Sequence, residues 1–203
     1  MKAKPGNEAD LEIEVKVPID EISAAVSRVV AIGATRIRER HLEENFLFDY
    51  PERLLTRGGC LLRIRRTPGR AFLTFKGKGR VEEGAKVRPE KEVAVEDADT
   101  CMKIIESIGL KMIYRYEKYR TEYQYADCQI AIDELPFGNY MELEGSHRGI
   151  QKVAAELGVS PDRFLSETYR ALHADHLARI GAPMGDLLFK EWDQDKGCGK
   201  PEE

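Results

Sequence analysis

Charged and apolar side chains alternate with a period of two along several segments of this chain. In LEIEVKV, residues 11–17, the charged residues are Glu12, Glu14 and Lys16, and the residues between them are apolar. Successive side chains of a β-strand point to opposite faces, so this strand would have one charged and one apolar face. A chain with many such strands can form only an open sheet or a barrel.

The same alternation occurs in CLLRIRR, AFLTFKGK, VRPEKEVAV, YEKYRTEY, QIAIDEL and YMELEG. Each of these segments therefore predicts a strand with one charged face. The bases on these faces are Lys16, Arg63, Arg65, Lys76, Arg88, Lys118 and Arg120. The acids are Glu12, Glu14, Glu90, Glu92, Asp133, Glu142 and Glu144.

Two arrangements agree with this pattern. In an open sheet the charged face meets water, whereas in a closed barrel of seven or eight strands it lines the interior. A solvated face would also carry Ser, Thr, Asn and Gln, but these faces carry mostly Arg, Lys, Glu and Asp. Like charges two residues apart repel one another, which is unfavourable for stability alone. The composition of these faces therefore favours the barrel without excluding the open sheet.

The combination of bases and acids is typical of a site for phosphates and a divalent cation. Arginine and lysine bind phosphate oxygens, and carboxylates commonly bind Mg²⁺ or Mn²⁺, which bridges them to a phosphate. Glu12 with Glu14, and Glu142 with Glu144, each place two carboxylates about 7 Å apart on one strand face. For any single charge, a salt bridge in a polar core remains the alternative.

The remaining sequence predicts helices around this sheet. We expect helices over 18–33 with Asp20 as its N-cap, 98–108, 147–157, and from Ser160 to about residue 180. The expected strands after the first are 41–49, 60–66, 71–78, 88–96, 112–125, 128–134 and 139–145. Residues 1–186 would form one domain, and the polar segment 187–203 would be a flexible tail.

Other classes of protein fit the sequence poorly. The net charge of −4 over 203 residues argues against a broad nucleic-acid-binding face. The absence of a long apolar run or a secretory signal predicts a cytoplasmic protein without membrane association. The four cysteines are scattered, as expected for reduced thiols; their even number leaves a disulfide open, but their spacing does not support one. The four histidines form no metal-binding motif. The chain also lacks a GxxxxGK[ST] loop.

The ordered motifs resemble those of the CYTH family, also called the triphosphate tunnel enzymes. Glu12-Ile-Glu14-Val-Lys16 resembles the family's N-terminal ExExK signature. The likeness continues through LRIRR, LTFKG, RPEKEV, YEKYR, IDELPFGNYMELEG and SETYRAL, covering about residues 10–175. It implies an α+β fold in which an eight-stranded antiparallel β-barrel, the triphosphate tunnel, has its helices packed outside. A homodimer is also common in this family.

The resemblance further implies roles for the charged residues. Glu12, Glu14, Glu142 and Glu144, with Asp133, would bind Mg²⁺ or Mn²⁺. Lys16, Arg63, Arg65, Lys76, Arg88, Lys118 and Arg120 would bind the triphosphate of ATP, thiamine triphosphate or tripolyphosphate. Lys118 and Glu14 are the expected catalytic residues.

The likeness leaves three activities open. IDELPFGNYMELEG and SETYRAL are most similar to the class IV adenylate cyclase branch, which converts ATP into cyclic AMP and pyrophosphate. Hydrolytic members often pair a lysine such as Lys118 with a tyrosine on an early strand, and HLEENFLF contains no tyrosine. The cyclase branch often has an aspartate near the position of Asn45, so neither pattern is complete. A binding module without turnover is the third alternative.

Overall fold

The computed structural model describes residues 11–190 and contains nine strands and five helices. The strands are β1 (Leu11–Ile19), β2 (Thr35–Asp49), β3 (Leu61–Thr67), β4 (Arg70–Lys76), β5 (Arg80–Glu82), β6 (Ala85–Val95), β7 (Lys111–Tyr125), β8 (Cys128–Leu135) and β9 (Gly138–Glu144). The helices are α1 (Ile22–Ala31), α2 (Leu54–Arg57), α3 (Ala98–Ser107), α4 (His147–Glu156) and α5 (Tyr169–Ile180).

Eight of these strands close into an antiparallel barrel. The order around the barrel is β1-β9-β8-β7-β2-β3-β4-β6, and a pairing between β6 and β1 closes it. The short β5 pairs only with β6 and stays outside the ring. The predicted fold, an eight-stranded barrel with external helices, is therefore confirmed, and the open sheet is excluded. Closure pairs the backbone groups that an open sheet would leave exposed at its two edges.

The apolar faces of the strands are covered by helices. Val15 and Val17 of β1 are almost fully buried, and they share a core with Val29 of α1 and with Ile150 and Val153 of α4. A second core lies against α3, where Phe48 and Ile64 pack near Ile105. Burial of these faces drives the charged faces to the inside of the barrel, because the side chains alternate.

The first turn of α5 contributes to a third cluster, which includes inward-facing residues of several strands. Tyr169 packs there with Leu47, Tyr116 and Leu135, and Leu187 completes the cluster. Leu187 is fully buried, and its backbone bonds to Arg115 and Glu117 of β7. Residues 191–203 of the predicted tail lie outside the described residues, so their expected flexibility stays a prediction.

The region 160–180 differs from the prediction of one continuous helix. Pro161–Arg163 form a single 3₁₀ turn, and the chain is then extended. The backbone of Leu165 exchanges two hydrogen bonds with that of Lys16 on β1, so it is unavailable to a helix. Helix α5 starts only after Thr168, whose hydroxyl accepts a hydrogen bond from the N–H of Ala171.

Smaller differences concern the limits of other elements. Helix α1 begins at Ile22, and its N-cap position is Glu21 rather than Asp20, with no side-chain cap bond. Strand β2 begins at Thr35, six residues before the predicted start, because it pairs with β7 as far as Gln124. Within residues 11–190, none of the helices is long and apolar enough to cross a membrane.

Candidate active site

The barrel interior holds two adjoining cavities. The larger, of about 400 Å³, is lined mainly by charged side chains, and all eight barrel strands contribute to its lining. The smaller, of about 240 Å³, combines charged groups with apolar ones such as Leu61 and Ile113. Glu14, Lys76 and Glu142 line both cavities, so they stand where the two meet.

One wall of the interior is formed by the acids of β1 and β9. Glu14 lies directly opposite Glu144 in the strand register, and Lys16 lies opposite Glu142. The ammonium of Lys16 lies 3.0 Å from Glu14 Oε1 and 3.2 Å from Glu142 Oε1. Two like charges directly across a strand pair destabilise a sheet, so the pair of Glu14 and Glu144 has a cost that a bound cation would remove.

Glu144 is the least compensated of these acids. Within residues 11–190 its side chain has no hydrogen-bond or ion-pair partner, and the residue is exposed to solvent. Partial removal from water raises the pKa of Glu144 to about 7, and the negative charge of Glu12 adds to this effect. A carboxylate held among other carboxylates in this way fits a hard divalent cation with oxygen ligands.

The substitution Glu144→Gln provides a test of this electrostatic cost. A carboxyl whose pKa rises from 4.5 to about 7 on folding binds more protons in the native state between these pH values. Stability therefore falls as the pH rises from 4.5 to 7, and the penalty persists above 7. At pH 8 in EDTA we expect the variant to be more stable than the parent by about 1 kcal/mol, after a discount for solvent screening.

Thermal unfolding would show this difference as a rise of about 2–4 °C at pH 8, and none near pH 4.5. Glu106→Gln, at an exposed position on α3, is the matched control and should show no such dependence. Equal melting temperatures for Glu144→Gln and parent at pH 8 would contradict the electrostatic cost assigned to the ionised carboxylate of Glu144.

Glu12 is compensated by two bases from neighbouring strands. Its carboxylate accepts hydrogen bonds from Lys76 Nζ at 2.5 Å and from Arg88 Nε at 2.8 Å. Burial alone would raise the pKa of Glu12, but the charges of Lys76 and Arg88 outweigh it and hold the pKa well below its usual value. Glu12 is thus ionised, and it orients two of the bases expected to bind phosphate.

Asp133 organises the bases on the opposite side. Its fully buried carboxylate accepts hydrogen bonds from Lys118 Nζ at 2.9 Å, from Arg120 Nε at 2.6 Å and from the Tyr169 hydroxyl at 2.7 Å. Arg120 Nη2 donates a further bond at 2.5 Å. The predicted role of Asp133 as a metal ligand stays a prediction, but these four bonds favour a positioning role for the carboxylate.

The arginines of β3 complete the basic lining. Arg65 Nη2 donates to both carboxylate oxygens of Glu92, at 2.9 and 3.0 Å. Arg63 is buried, and its guanidinium lies 3.8 Å from the same residue and 3.5 Å from the Tyr116 hydroxyl. Both side chains therefore face the cavities, where they are held by weak or solvent-accessible partners that a phosphate could replace.

A family model, the CYTH domain, matches residues 10–168. The chain belongs to the CYTH family. A relative from Methanocaldococcus jannaschii, named provisionally as an adenylate cyclase, is 30% identical over an alignment of 173 residues that covers 80% of this chain and 98% of the relative. The adenylate cyclase CyaB of Aeromonas hydrophila is 23% identical over an alignment of 172 residues that covers 79% of this chain and 87% of that protein.

Solved structures share the fold of this CYTH chain. An X-ray structure from Vibrio parahaemolyticus, also provisionally called an adenylate cyclase, has a TM-score of 0.71 and 20% identity, covering 81% of this chain and 98% of that one. The PH1819 protein of Pyrococcus horikoshii has a TM-score of 0.68 and 26% identity, covering 81% and 99%. The barrel and its external helices are thus a shared architecture.

The CYTH barrel brings most of the residues predicted from the sequence to its two cavities. Those that line one or both are Glu12, Glu14, Lys16, Arg63, Arg65, Lys76, Arg88, Lys118, Arg120, Glu142 and Glu144. Asp133 alone lies behind them and touches Lys118 and Arg120.

The predicted set of site residues left out several groups of this CYTH barrel. His41, Glu43 and Asn45 are buried on β2, and Glu122 lines the larger cavity. The period of two in HLEENFLF, applied to residues 41–48, would have revealed the first three. Tyr169 comes from α5, and no pattern in the sequence indicates that its hydroxyl reaches Asp133.

Proposed function

We propose that this protein is a divalent-metal-dependent enzyme that converts ATP into cyclic AMP and pyrophosphate inside its barrel. The observation that carries this proposal is the meeting of four glutamates, of which Glu144 has no basic partner among residues 11–190, with a convergent set of bases in the barrel interior. Family membership supports a triphosphate as the substrate class. The names of the relatives from M. jannaschii and A. hydrophila favour a cyclase.

The difference between the two cavities favours a substrate with an organic group. Leu47, Leu61 and Ile113 supply apolar surface in the smaller cavity, and Tyr116 and Tyr169 add aromatic rings. Inorganic tripolyphosphate has no group that would gain from such surface, whereas a nucleoside would. We therefore propose that the nucleoside occupies the smaller cavity and that the phosphates extend past Lys76 towards the larger one.

The bases would hold the triphosphate and stabilise the departing pyrophosphate. In the reaction, the 3′-hydroxyl oxygen bonds to the α-phosphorus, the bond from that phosphorus to the bridging oxygen breaks, and pyrophosphate leaves. Arg63, Arg65 and Arg120 can donate forked hydrogen bonds to its oxygens. Lys118, held by Asp133 at 2.9 Å, adds a fixed positive charge where negative charge accumulates.

The proton of the 3′-hydroxyl of ATP also needs an acceptor. Lys86 lines the smaller cavity, and its backbone lies opposite Glu14 in the strand register. Burial lowers the pKa of Lys86 to about 8, and the charge of Arg88 adds to this effect, so a fraction of the amine is neutral at physiological pH. We propose Lys86 as the base that takes the proton.

Glu12, Glu14, Glu142 and Glu144 would hold the cation, and Glu144 and Glu14 are the least saturated by bases. Mg²⁺ or Mn²⁺ in this position would neutralise phosphate charge and favour ionisation of the hydroxyl nucleophile. The carboxylates themselves keep Lys16, Lys76 and Arg88 oriented when no substrate is present.

Hydrolysis of a triphosphate is the second candidate. Tyr116 provides an inward tyrosine near Lys118 on β7, although not on the early strand where hydrolytic members carry one. HpAC1 of Hippeastrum, a structure with a TM-score of 0.58 and 17% identity, is described as a provisional adenylyl cyclase with a dominant triphosphatase activity. Thiamine triphosphate and tripolyphosphate are then the alternative substrates.

Product analysis separates these candidates. The protein is incubated with Mg²⁺ or Mn²⁺ and, in parallel, with ATP, thiamine triphosphate or tripolyphosphate. Cyclic AMP with an equal amount of pyrophosphate supports the cyclase, and orthophosphate from any substrate supports the hydrolase. Binding without either product would contradict both and would indicate a binding module. A homodimer stays a prediction for solution measurements.

Arg65→Ala tests the phosphate-binding role of the basic lining. Loss of charge-assisted hydrogen bonds to a phosphate should weaken binding about 10- to 100-fold. Calorimetry with α,β-methylene ATP, which resists cyclisation, gives the affinity. Arg66→Ala is the matched control, because Arg66 is the next residue of β3, points outward and pairs with Asp99. Equal affinity in both variants would refute the role of Arg65.

A further inference from the structure

A buried histidine and two glutamates meet on the inner face of β2 and β7. His41 Nε2 lies 3.6 Å from Glu43 Oε1 and 3.7 Å from Glu122 Oε1. The three ligand atoms lie within 4.8 Å of one another. Neither the predicted metal ligands nor the phosphate-binding residues include them. This cluster is hereafter the His41 cluster.

The hydrogen bonding of His41 leaves one ring nitrogen available. Its Nδ1 lies 2.8 Å from the backbone carbonyl oxygen of Glu39. A carbonyl can only accept a hydrogen bond, so Nδ1 carries a proton, and Nε2 is the ring nitrogen that can offer a lone pair to a metal ion. Metal-binding histidines commonly donate their second ring nitrogen to a backbone carbonyl in this way.

Nε2 of His41 is buried without a hydrogen-bond partner. The side chain is 7% exposed, and neither glutamate comes within hydrogen-bonding distance of it. The distances are too long for charge-assisted hydrogen bonds, which measure about 2.7–2.9 Å. Ligand atoms about 2.1 Å from a tetrahedral ion lie about 3.4 Å apart, which is close to the observed spacing.

The carboxylate of Glu43 is also buried and is not fully hydrogen-bonded. Its side chain is 1% exposed, and its Oε2 has no hydrogen-bond partner. Burial would raise the pKa of Glu43, but the charges of Lys118 and Arg120 outweigh it and keep the pKa well below its usual value. The group is therefore a buried carboxylate with unused lone pairs, which is costly unless something binds them.

The bases around the His41 cluster have other partners at shorter distances. Arg38, which lies 3.6 Å from Glu122, donates to Thr67 at 2.8 Å. Arg65, which lies 3.7 Å from Glu43, donates to Glu92 at 2.9 Å. The central space between the histidine and the carboxylates is thus left to another group.

We propose that His41, Glu43 and Glu122 form a second metal site for a transition ion, with Zn²⁺ as the ion it fits best. The imidazole nitrogen selects zinc over Mg²⁺, which prefers oxygen ligands throughout. Three protein ligands leave a fourth position for water or a phosphate oxygen, as in open zinc sites. The site is independent of the carboxylates of β1 and β9 and does not depend on the cyclase proposal.

Zinc binding is measured by equilibrium dialysis in an excess of Mg²⁺, which occupies oxygen-only sites. We expect one Zn²⁺ per chain in the parent and in Glu144→Gln. In His41→Ala and Glu122→Gln, the affinity should fall by at least about tenfold. His147→Ala, which removes a histidine of α4, is the matched control and should bind as the parent does. Circular dichroism checks that each variant is folded.

A spectroscopic measurement on the parent keeps the test independent of the folding of variants. Nitrogen NMR of the histidine rings should show a shift of His41 Nε2 on addition of Zn²⁺, with Nδ1 still protonated. Two outcomes would overturn the proposal: unchanged zinc affinity in both folded variants, or a His41 ring protonated on both nitrogens at pH 7 that Zn²⁺ does not alter.

Discussion

Glu14→Gln should lower the turnover of the triphosphate substrate by roughly 1000-fold, which is the largest effect we expect on activity. Glu14 lines both cavities and lies opposite Glu144, so the substitution would remove a carboxylate from the centre of the proposed metal site. Glutamine has almost the same shape but no charge, and its oxygen binds a divalent cation more weakly. The measurement is the release of pyrophosphate or orthophosphate at saturating substrate.

The fold should survive this change. Lys16 keeps its contact with Glu142 at 3.2 Å, so it is not left without a negative partner. Thermal unfolding should therefore stay within a few degrees of the parent. Raising the Mg²⁺ concentration should recover part of the activity, because the variant binds the cation less tightly.

Glu134→Gln is the control for this experiment. Glu134 lies on the outer face of β8, where it pairs with Arg40. The substitution Glu134→Gln should leave turnover unchanged. Full activity of Glu14→Gln would refute the assignment of this carboxylate to the metal, whatever product the enzyme makes.

Asp133→Ala should cause the largest loss of stability, about 3–5 kcal/mol of unfolding free energy. The carboxylate is fully buried and holds Lys118, Arg120 and Tyr169. Alanine would leave Lys118 with Glu43 alone, at 3.6 Å, and would leave the Tyr169 hydroxyl without its acceptor. Removing one partner of such a network costs more than the network contributes as a whole, because charges stay buried without compensation.

Urea unfolding at pH 7 measures this loss as a lower midpoint at an unchanged slope. Asp99→Ala is the matched control, since Asp99 pairs with Arg66 but has a side chain that is 69% exposed. It should change stability by less than about 1 kcal/mol. A loss below 1 kcal/mol for Asp133→Ala would show that water or other groups compensate Lys118 and Arg120.

The extension of β2 shows where the period of two stops being informative. Between Arg36 and His41 the pairing of β2 with β7 contains two register shifts. An irregular strand does not keep a strict alternation, so its first residues were not recognisable as a strand. The start of α5 was missed for a different reason, because Leu165 pairs with β1, which is about 150 residues earlier in the chain.

The sequence alone determined which side chains share a strand face, because the pleat of a strand fixes that alternation locally. It thereby determined which acids and bases lie on the charged faces, including Glu14, Lys118 and Glu144, and their resemblance to a triphosphate tunnel. Only the tertiary structure decided how these groups pair: Glu14 against Glu144, Asp133 beneath Lys118, and His41 beside Glu122. Such contacts depend on strand order, register and barrel closure, which are set by long-range packing and cannot be read from neighbouring residues.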